Sequence, residues 1–293
     1  MQISPIQYNK FSYDNRKKLN NQSQISFKQV TPEHFFIKMS GYLPDYQWGK
    51  FVSNLANSAK KGVLKPISTV DADLLRLSKK YHNYKFTREF WGGVDFGTVK
   101  DSHHSDLFAT VQKGAKYGEY HDPCQKILKD NEAKLTTRTI LYPLLKATKL
   151  FKAFQIQNEV DGKEVVLTQI GYELKDGFPK QTLHLIHPPY NTAKILIEKS
   201  QKILNELKPY KSKKLTEEDT TKVYEKIGAI HWCLAQGMPF QRGSAALADV
   251  YTKSLFEALN IQTTPWKNGL APDWEAFITP LDEYSKKYRS FFE

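Results

Sequence analysis

Residues 227–246 read Ile-Gly-Ala-Ile-His-Trp-Cys-Leu-Ala-Gln-Gly-Met-Pro-Phe-Gln-Arg-Gly-Ser-Ala-Ala, and two helices meet in this stretch. Upstream, Thr216-Glu217-Glu218-Asp219 has the pattern of a capping box, so a helix starts there. Val223, Ile227, Ile230, His231 and Leu234 then fall on one face at helical spacing. Gly237 and Pro239 stop that helix, because glycine suits its end and proline cannot continue it. Gly243-Ser244 opens a second helix with Leu247, Val250, Tyr251, Leu255 and Leu259 turned inward. The first N–H groups of such a helix lack intrahelical partners, and its dipole end is positive. Together with Arg242, the amides of Gly243, Ser244 and Ala245 therefore form a candidate anion cradle.

Outward from this joint the texture is mainly helical. Tyr46 to Ala59 carries Trp48, Phe51, Val52, Leu55 and Ala59 at helical spacing, and Asp71 to Tyr81 repeats the pattern. The spacing also predicts a helix over Thr139–Phe154 and another over Ala193–Leu207, with a lysine-rich break at 208–214. Glycines scattered through 91–124 argue for loops. Asp161-Gly162, flanked by Phe154–Gln157 and Val165–Ile170, signals a hairpin near 154–170, and Leu183–Ile186 suggests a third short strand. The expected class is mainly α (α+β). Residues 1–30 read as a disordered polar leader and 31–293 as a single domain. Within it, 31–134 form N-terminal helices with a loop-rich lobe, and 135–293 form a helical core with the hairpin.

Composition narrows the class of function. The chain has 43 Lys+Arg against 31 Asp+Glu, a formal charge of +12, which raises nucleic-acid binding as one reading. Only six of those bases are arginines, and they are scattered, whereas nucleic-acid surfaces interleave arginine with aromatics. Residues 240–293 hold six basic and seven acidic side chains, so the excess lies in residues 1–239. No apolar run is long enough for a membrane helix, and no secretory signal is expected. Gln2 stands where N-myristoylation requires glycine, so no lipid anchor is expected. Two distant cysteines, Cys124 and Cys233, exclude a disulfide framework. His103, His104, His121 and Cys124 are poorly spaced for zinc, and no metal site is assigned.

Helix, Pro-Phe-x-x-Gly, helix resembles the core of the Fic/Doc (Fido) superfamily. His231-Trp232 and Met238 to Ala246 are more similar still to the AvrB family of bacterial type III effectors. Lys267-Asn268-Gly269 with Asp273, Glu275 and Ala276 resembles a second motif of that family, and Glu283, Tyr288, Arg289 and Ser290 a third. The resemblance is dense over 227–293 and implies a Fido-like helical core. Met238 stands where the Fic motif has its histidine base, and Arg242 where it has the metal-holding acid. Fic-type nucleotidyl transfer is therefore not expected.

The resemblance implies transfer of a sugar, such as the deoxyhexose rhamnose, from a nucleotide-sugar to a Ser or Thr of a target protein. Asp273 and His231 are then the candidate catalytic residues. Arg242, Gly243, Ser244, Ala245 and His187 are the candidates for substrate and phosphate binding. Thr137, Arg138 and Thr139 before Tyr142-Pro143-Leu144 faintly resemble a further family motif. No cofactor is required beyond the nucleotide-sugar co-substrate. The expected partners are that donor and a target protein, with no stable nucleic acid, no membrane anchor and a monomeric chain. The implied setting is the bacterial cytoplasm with secretion into a host cell. Two rival readings are a catalytically inactive nucleotide- or target-binding effector and a basic nucleic-acid binder.

Overall fold

Asp45 accepts hydrogen bonds from the backbone N–H of Gln47 and Trp48 and so starts α1 (Tyr46–Ala59). The computed structural model describes residues 29–39, 43–88, 107–142, 147–175, 178–240 and 242–293. α2 (Val70–Arg88) follows, longer than its apolar spacing indicates. Then come β1 (Leu107–Val111), α3 (His121–Asp130), β2 (Thr136–Tyr142) and β3 (Ala147–Phe154). The two-residue strands β4 (Glu159–Val160) and β5 (Lys163–Glu164) precede β6 (Gln169–Lys175) and β7 (Phe178–Ile186). α4 (Tyr190–Leu207), α5 (Glu217–Gly237), α6 (Ser244–Ala258), α7 (Pro272–Ile278) and α8 (Leu281–Lys287) complete the chain. The class is mainly helical with an antiparallel sheet.

The sheet has the order β1-β7-β6-β3-β2 and every pairing in it is antiparallel. It is larger than the hairpin read from the sequence. Asp161 (φ 53°) and Gly162 (φ 73°) form the expected turn, but they join only β4 to β5. Phe154 pairs with Ile170 beyond it, so β3 and β6 are the outer arms of the same hairpin.

Thr139–Phe154 is not a helix but parts of β2 and β3. Phe151 and Ala153 are fully buried while Leu150 between the lysines is 46% exposed, which is the two-residue alternation of a strand. Lys149 and Lys152 mask that alternation in the sequence, and the threonines of β2 favour the pleated backbone. In the loop-rich stretch 91–124, residues 107–111 form β1 and α3 begins at His121. The expected leader lies outside the described residues except for Gln29 and Val30. Val30 is buried, and its carbonyl accepts from Asn57 Nδ2 at 3.0 Å.

α5 is the axis of the core. Thr216 caps it as expected, its hydroxyl accepting from the Asp219 N–H while the Asp219 carboxylate accepts from the Thr216 N–H. Along α5, Gly228 has no room for a side chain, because a Cβ there would lie 2.6 Å from the Tyr288 side chain. That contact seats the C-terminal segment, where Trp266, Tyr284, Tyr288 and Phe292 pack as an aromatic knot. Lys253 lies inside it, 2.6 Å from Asp249 and 3.7 Å above the Trp266 ring. Among the described residues, no helix is long and apolar enough to cross a membrane.

Candidate functional site

α5 ends where Met238 adopts the left-handed conformation (φ 39°), with its N–H donating to the Leu234 carbonyl at 3.0 Å. Ser244 Oγ closes the following turn, accepting from the Phe240 N–H at 2.9 Å and donating to the Phe240 carbonyl at 3.0 Å. Its hydroxyl is thus spent on the turn, and only its amide remains for an anion. Gly243 is required twice: its φ is 86°, and a Cβ would lie 2.8 Å from the Tyr81 ring. The first backbone bond of α6 runs from the Leu247 N–H to the Gly243 carbonyl at 2.9 Å. The amides of Ser244, Ala245 and Ala246 come before that bond and form the positive end of the helix. Arg242 is half-buried and, among the described residues, makes no ion pair. Gln241 lies outside the described residues. A small cavity of about 70 Å³ touches Pro239 and Phe240 between α2 and α4, too small for a nucleotide.

Asp273 sits in the first turn of α7, 9% exposed. Burial pushes its carboxyl up to about 6, although the backbone N–H groups of Asp273 and Trp274 and the charge of Lys116 favour the ionised form. Lys116 belongs to the turn ahead of α3; burial lowers its pKa and the charge of Asp273 raises it. Tyr120 Oη accepts from the Ala271 N–H at 3.0 Å and donates to Glu275 Oε1 at 2.7 Å, holding the loop–helix junction on both sides of Asp273. The Tyr117 and Tyr120 rings each stack on Trp274 with centroids 5.3 Å apart.

A buried amide ties this helix to the turn. Gln236 is fully buried one residue before Gly237; its Nε2 donates to the Ala276 carbonyl at 2.6 Å and its Oε1 accepts from the Thr168 N–H at 3.0 Å. Thr168 Oγ1 donates to the Gln236 carbonyl at 2.8 Å, so its contact of 2.8 Å to His187 Nδ1 must be accepted from the ring. That fixes the tautomer of neutral His187, with Nδ1 protonated and Nε2 the acceptor nitrogen.

Residues 173–293 match the AvrB_AvrC avirulence-protein family. Within the chain, 67 residues are 39% identical to avirulence protein B of Pseudomonas savastanoi pv. glycinea. That match covers 23% of this chain and 21% of the relative, so the chain spans about a fifth of that protein's length. Met238 through Ala246, His187, His231 and Asp273 all fall inside the AvrB_AvrC match, whereas Tyr120 lies before it.

The structure ties two of the expected positions to one network: His187 through Thr168 to Gln236 beside the turn, and Gln236 to the Ala276 carbonyl of the helix that bears Asp273. Neutral His187 presents an acceptor at Nε2, so it would meet a phosphate oxygen only after protonation. His231 lies elsewhere, in the aromatic knot. It is 1% exposed, its Nδ1 is 2.7 Å from Tyr288 Oη, and burial lowers its pKa to about 3. It is a neutral ring at physiological pH. Thr137 and Thr139 lie on β2, and Arg138 donates to Gln169 Oε1 at 2.7 Å, engaged within the sheet. His103, His104, Pro143 and Leu144 fall outside the described residues. His121 and Cys124 lie on α3, Cys124 fully buried.

Tyr120, Thr168 and Gln236 carry no motif that marks them in the sequence. Gln236 alone left a local trace, a polar residue at the end of a helix whose neighbours are apolar. The others carry no local pattern, since Tyr120 meets Glu275 across 155 residues.

Proposed function

We propose that the protein is a bacterial avirulence-type effector that transfers a sugar from a nucleotide-sugar to a hydroxyl of a target protein inside a host cell. The observation that carries this reading is Arg242, without an ionic partner among the described residues, beside the positive end of α6. A guanidinium and converging amides suit a diphosphate, with two parallel contacts from the fork and further N–H donors from the helix. The Fido-like resemblance of the turn supports the same assignment, because an arginine stands where the Fic motif has its metal-holding acid.

In this chemistry the acceptor hydroxyl oxygen bonds to the anomeric carbon as the carbon–oxygen bond to the diphosphate breaks. The bonding pair leaves with the diphosphate, where Arg242 and the Gly243, Ser244 and Ala245 amides offset its charge. The hydroxyl proton passes to Asp273, whose carboxyl near 6 is ionised at pH 7 yet basic enough to accept it. His187, in the tautomer with Nε2 as acceptor, orients a hydroxyl of donor or target. His231 supports the site through packing and takes no proton in this scheme.

Calorimetry with UDP-, dTDP- and GDP-linked sugars tests the reading. Binding to the wild type is expected for at least one, with Arg242→Ala weakening it by roughly tenfold to a hundredfold, the contribution of a charge-assisted contact. Binding of none of them, or equal binding by the variant, overturns it. Nucleoside diphosphate released in the presence of target protein separates a transferase from an inactive binder.

A further inference from the structure

The geometry points to a docking notch for a basic side chain of the target protein, a lysine or arginine within a few residues of the hydroxyl that is modified. The inference rests on the functional reading above and names a feature of the target which that reading leaves open. The notch is the cavity of about 70 Å³ between α2, α4 and the α5–α6 turn.

Asp71, Leu74 and Leu75 share one face of α2 at i, i+3 and i+4 spacing. Tyr190 and Ile197 of α4 line the notch with them, and Pro239 with Phe240 closes it on the side of the turn. Leu74, Ile197 and Phe240 are buried and form an apolar floor, whereas Leu75 is 40% exposed and opens the rim to solvent. The volume is roughly half that of the ~150 Å³ cavity that binds benzene, so an unbranched stem fits where a ring does not. Phe240 also ties the notch to the anion cradle: its N–H and its carbonyl are both held by Ser244 Oγ, at 2.9 and 3.0 Å. An extended chain advances only about 3.3 Å per residue, so a target side chain seated here lies a few residues from the hydroxyl at the cradle.

Asp71 gives the notch its sign. The start of α2 does not use this carboxylate as a cap: the Val70 N–H donates to Gln201 Oε1 at 2.8 Å, the Ala72 N–H to Thr69 Oγ1 at 3.3 Å and the Asp73 N–H to the Thr69 carbonyl at 2.9 Å. Two residues on, Asp73 is engaged by Ser68 and Arg76, at 2.5 and 2.9 Å. Asp71 itself is exposed and, among the described residues, makes no ion pair; the Tyr190 hydroxyl reaches it at 3.4 Å. Lysine and arginine lay their methylenes on apolar surface while the charged head reaches a polar group. Here the stem meets Leu74, Leu75, Ile197 and Pro239, and the head meets the Asp71 carboxylate and the Tyr190 hydroxyl. On a chain of charge +12, an open carboxylate beside an apolar floor selects a cation locally against the overall field.

The probes are the peptide acetyl-Ala-Ala-Lys-Ala-Ser-Ala-Ala-amide and its counterparts with norleucine or glutamate in place of the lysine. They are titrated into the full chain carrying carbon-13 in its leucine and isoleucine methyls. The lysine peptide is expected to shift the Leu74, Leu75 and Ile197 methyl signals and to bind about threefold to fivefold more tightly than the norleucine peptide, the increment of an exposed ion pair. The glutamate peptide is expected to bind most weakly. In Asp71→Asn the lysine and norleucine peptides are expected to bind alike, with the melting temperature unchanged. No shift of these methyls by the lysine peptide, equal affinity for lysine and norleucine in the wild type, tighter binding of glutamate, or a lysine preference that survives in Asp71→Asn overturns the proposal. If the notch selects lysine but no nucleotide-sugar binds, the sugar-transfer reading fails and the notch stands. If a nucleotide-sugar binds and the peptides are not discriminated, the notch alone fails.

Discussion

At Asp273 opposing influences act on one carboxyl. Burial raises its pKa from 3.8 to about 6, against the hydrogen bonds of the α7 start and the charge of Lys116. A side chain serving stability alone would sit in a helix cap with its pKa lowered, so this carboxylate is held at a cost. The cost has a sign that can be checked. Above pH 6 the folded chain carries a desolvated charge that Asp273→Asn lacks. The variant is therefore expected to be more stable at pH 7.5, by roughly 1–2 kcal/mol once its retained hydrogen bonds are counted. At pH 4 Asp273 is protonated in the folded state and the gain is expected to shrink towards zero. Thermal melts at the two pH values measure it, and a variant less stable at both would show that Asp273 is a structural cap. Arg242, by contrast, was singled out by its neighbours in the chain, since the turn that exposes it is local.

Among the elements, α5 and α6 follow their sequence signals closely, because a capping box, a helix stop and a positive-φ glycine act within a few residues. Strands β2 and β3 did not, although they too are contiguous. Their helical reading came from scattered apolar positions, and the two-residue alternation became plain only once Phe151 and Ala153 were seen buried against the sheet. The α5 axis makes a further test at this scale. A methyl group on Gly228 would meet the Tyr288 Cβ and ring at 2.6 Å, and neither the helix nor the knot has slack there. Gly228→Ala is expected to destabilise the chain by about 1–3 kcal/mol despite its better helix propensity. Urea denaturation decides between these effects; a variant as stable as the wild type would mean that Tyr288 moves freely.

Over the whole molecule, acid stability should be governed by His231. Its folded pKa is lowered from 6.5 to about 3 by burial and by the charge of Lys253. A lowered histidine stabilises the fold fully above its unfolded pKa, and that stability is lost as the pH falls from about 6.5 towards 3. The shift corresponds to a loss on the order of 4 kcal/mol across that window. Asp273 works the other way: its raised pKa adds stability as the pH falls through 6 to 4, so the net decline is shallower there. Replacing His231 with Gln is expected to remove most of the acid limb in chemical unfolding between pH 7 and 4, whatever it costs at pH 7. An unchanged slope would count against a neutral buried imidazole.

The +12 charge belongs to the same scale, and it is a poor guide to the candidate residues Arg242 and Asp273, which lie in 240–293, where six basic and seven acidic side chains nearly balance. Short-range rules acting along the chain were enough to specify the α5–α6 joint and the arginine beside it. They reach only as far as a cap, a turn or one helical face. The five-stranded order of the sheet, the Gln236 amide that joins turn to α7, and the Tyr120 hydroxyl that bridges Ala271 and Glu275 depend on contacts between residues far apart in sequence. Such contacts leave no periodic trace, because desolvation and Coulomb attraction act through space once folding has brought the groups together.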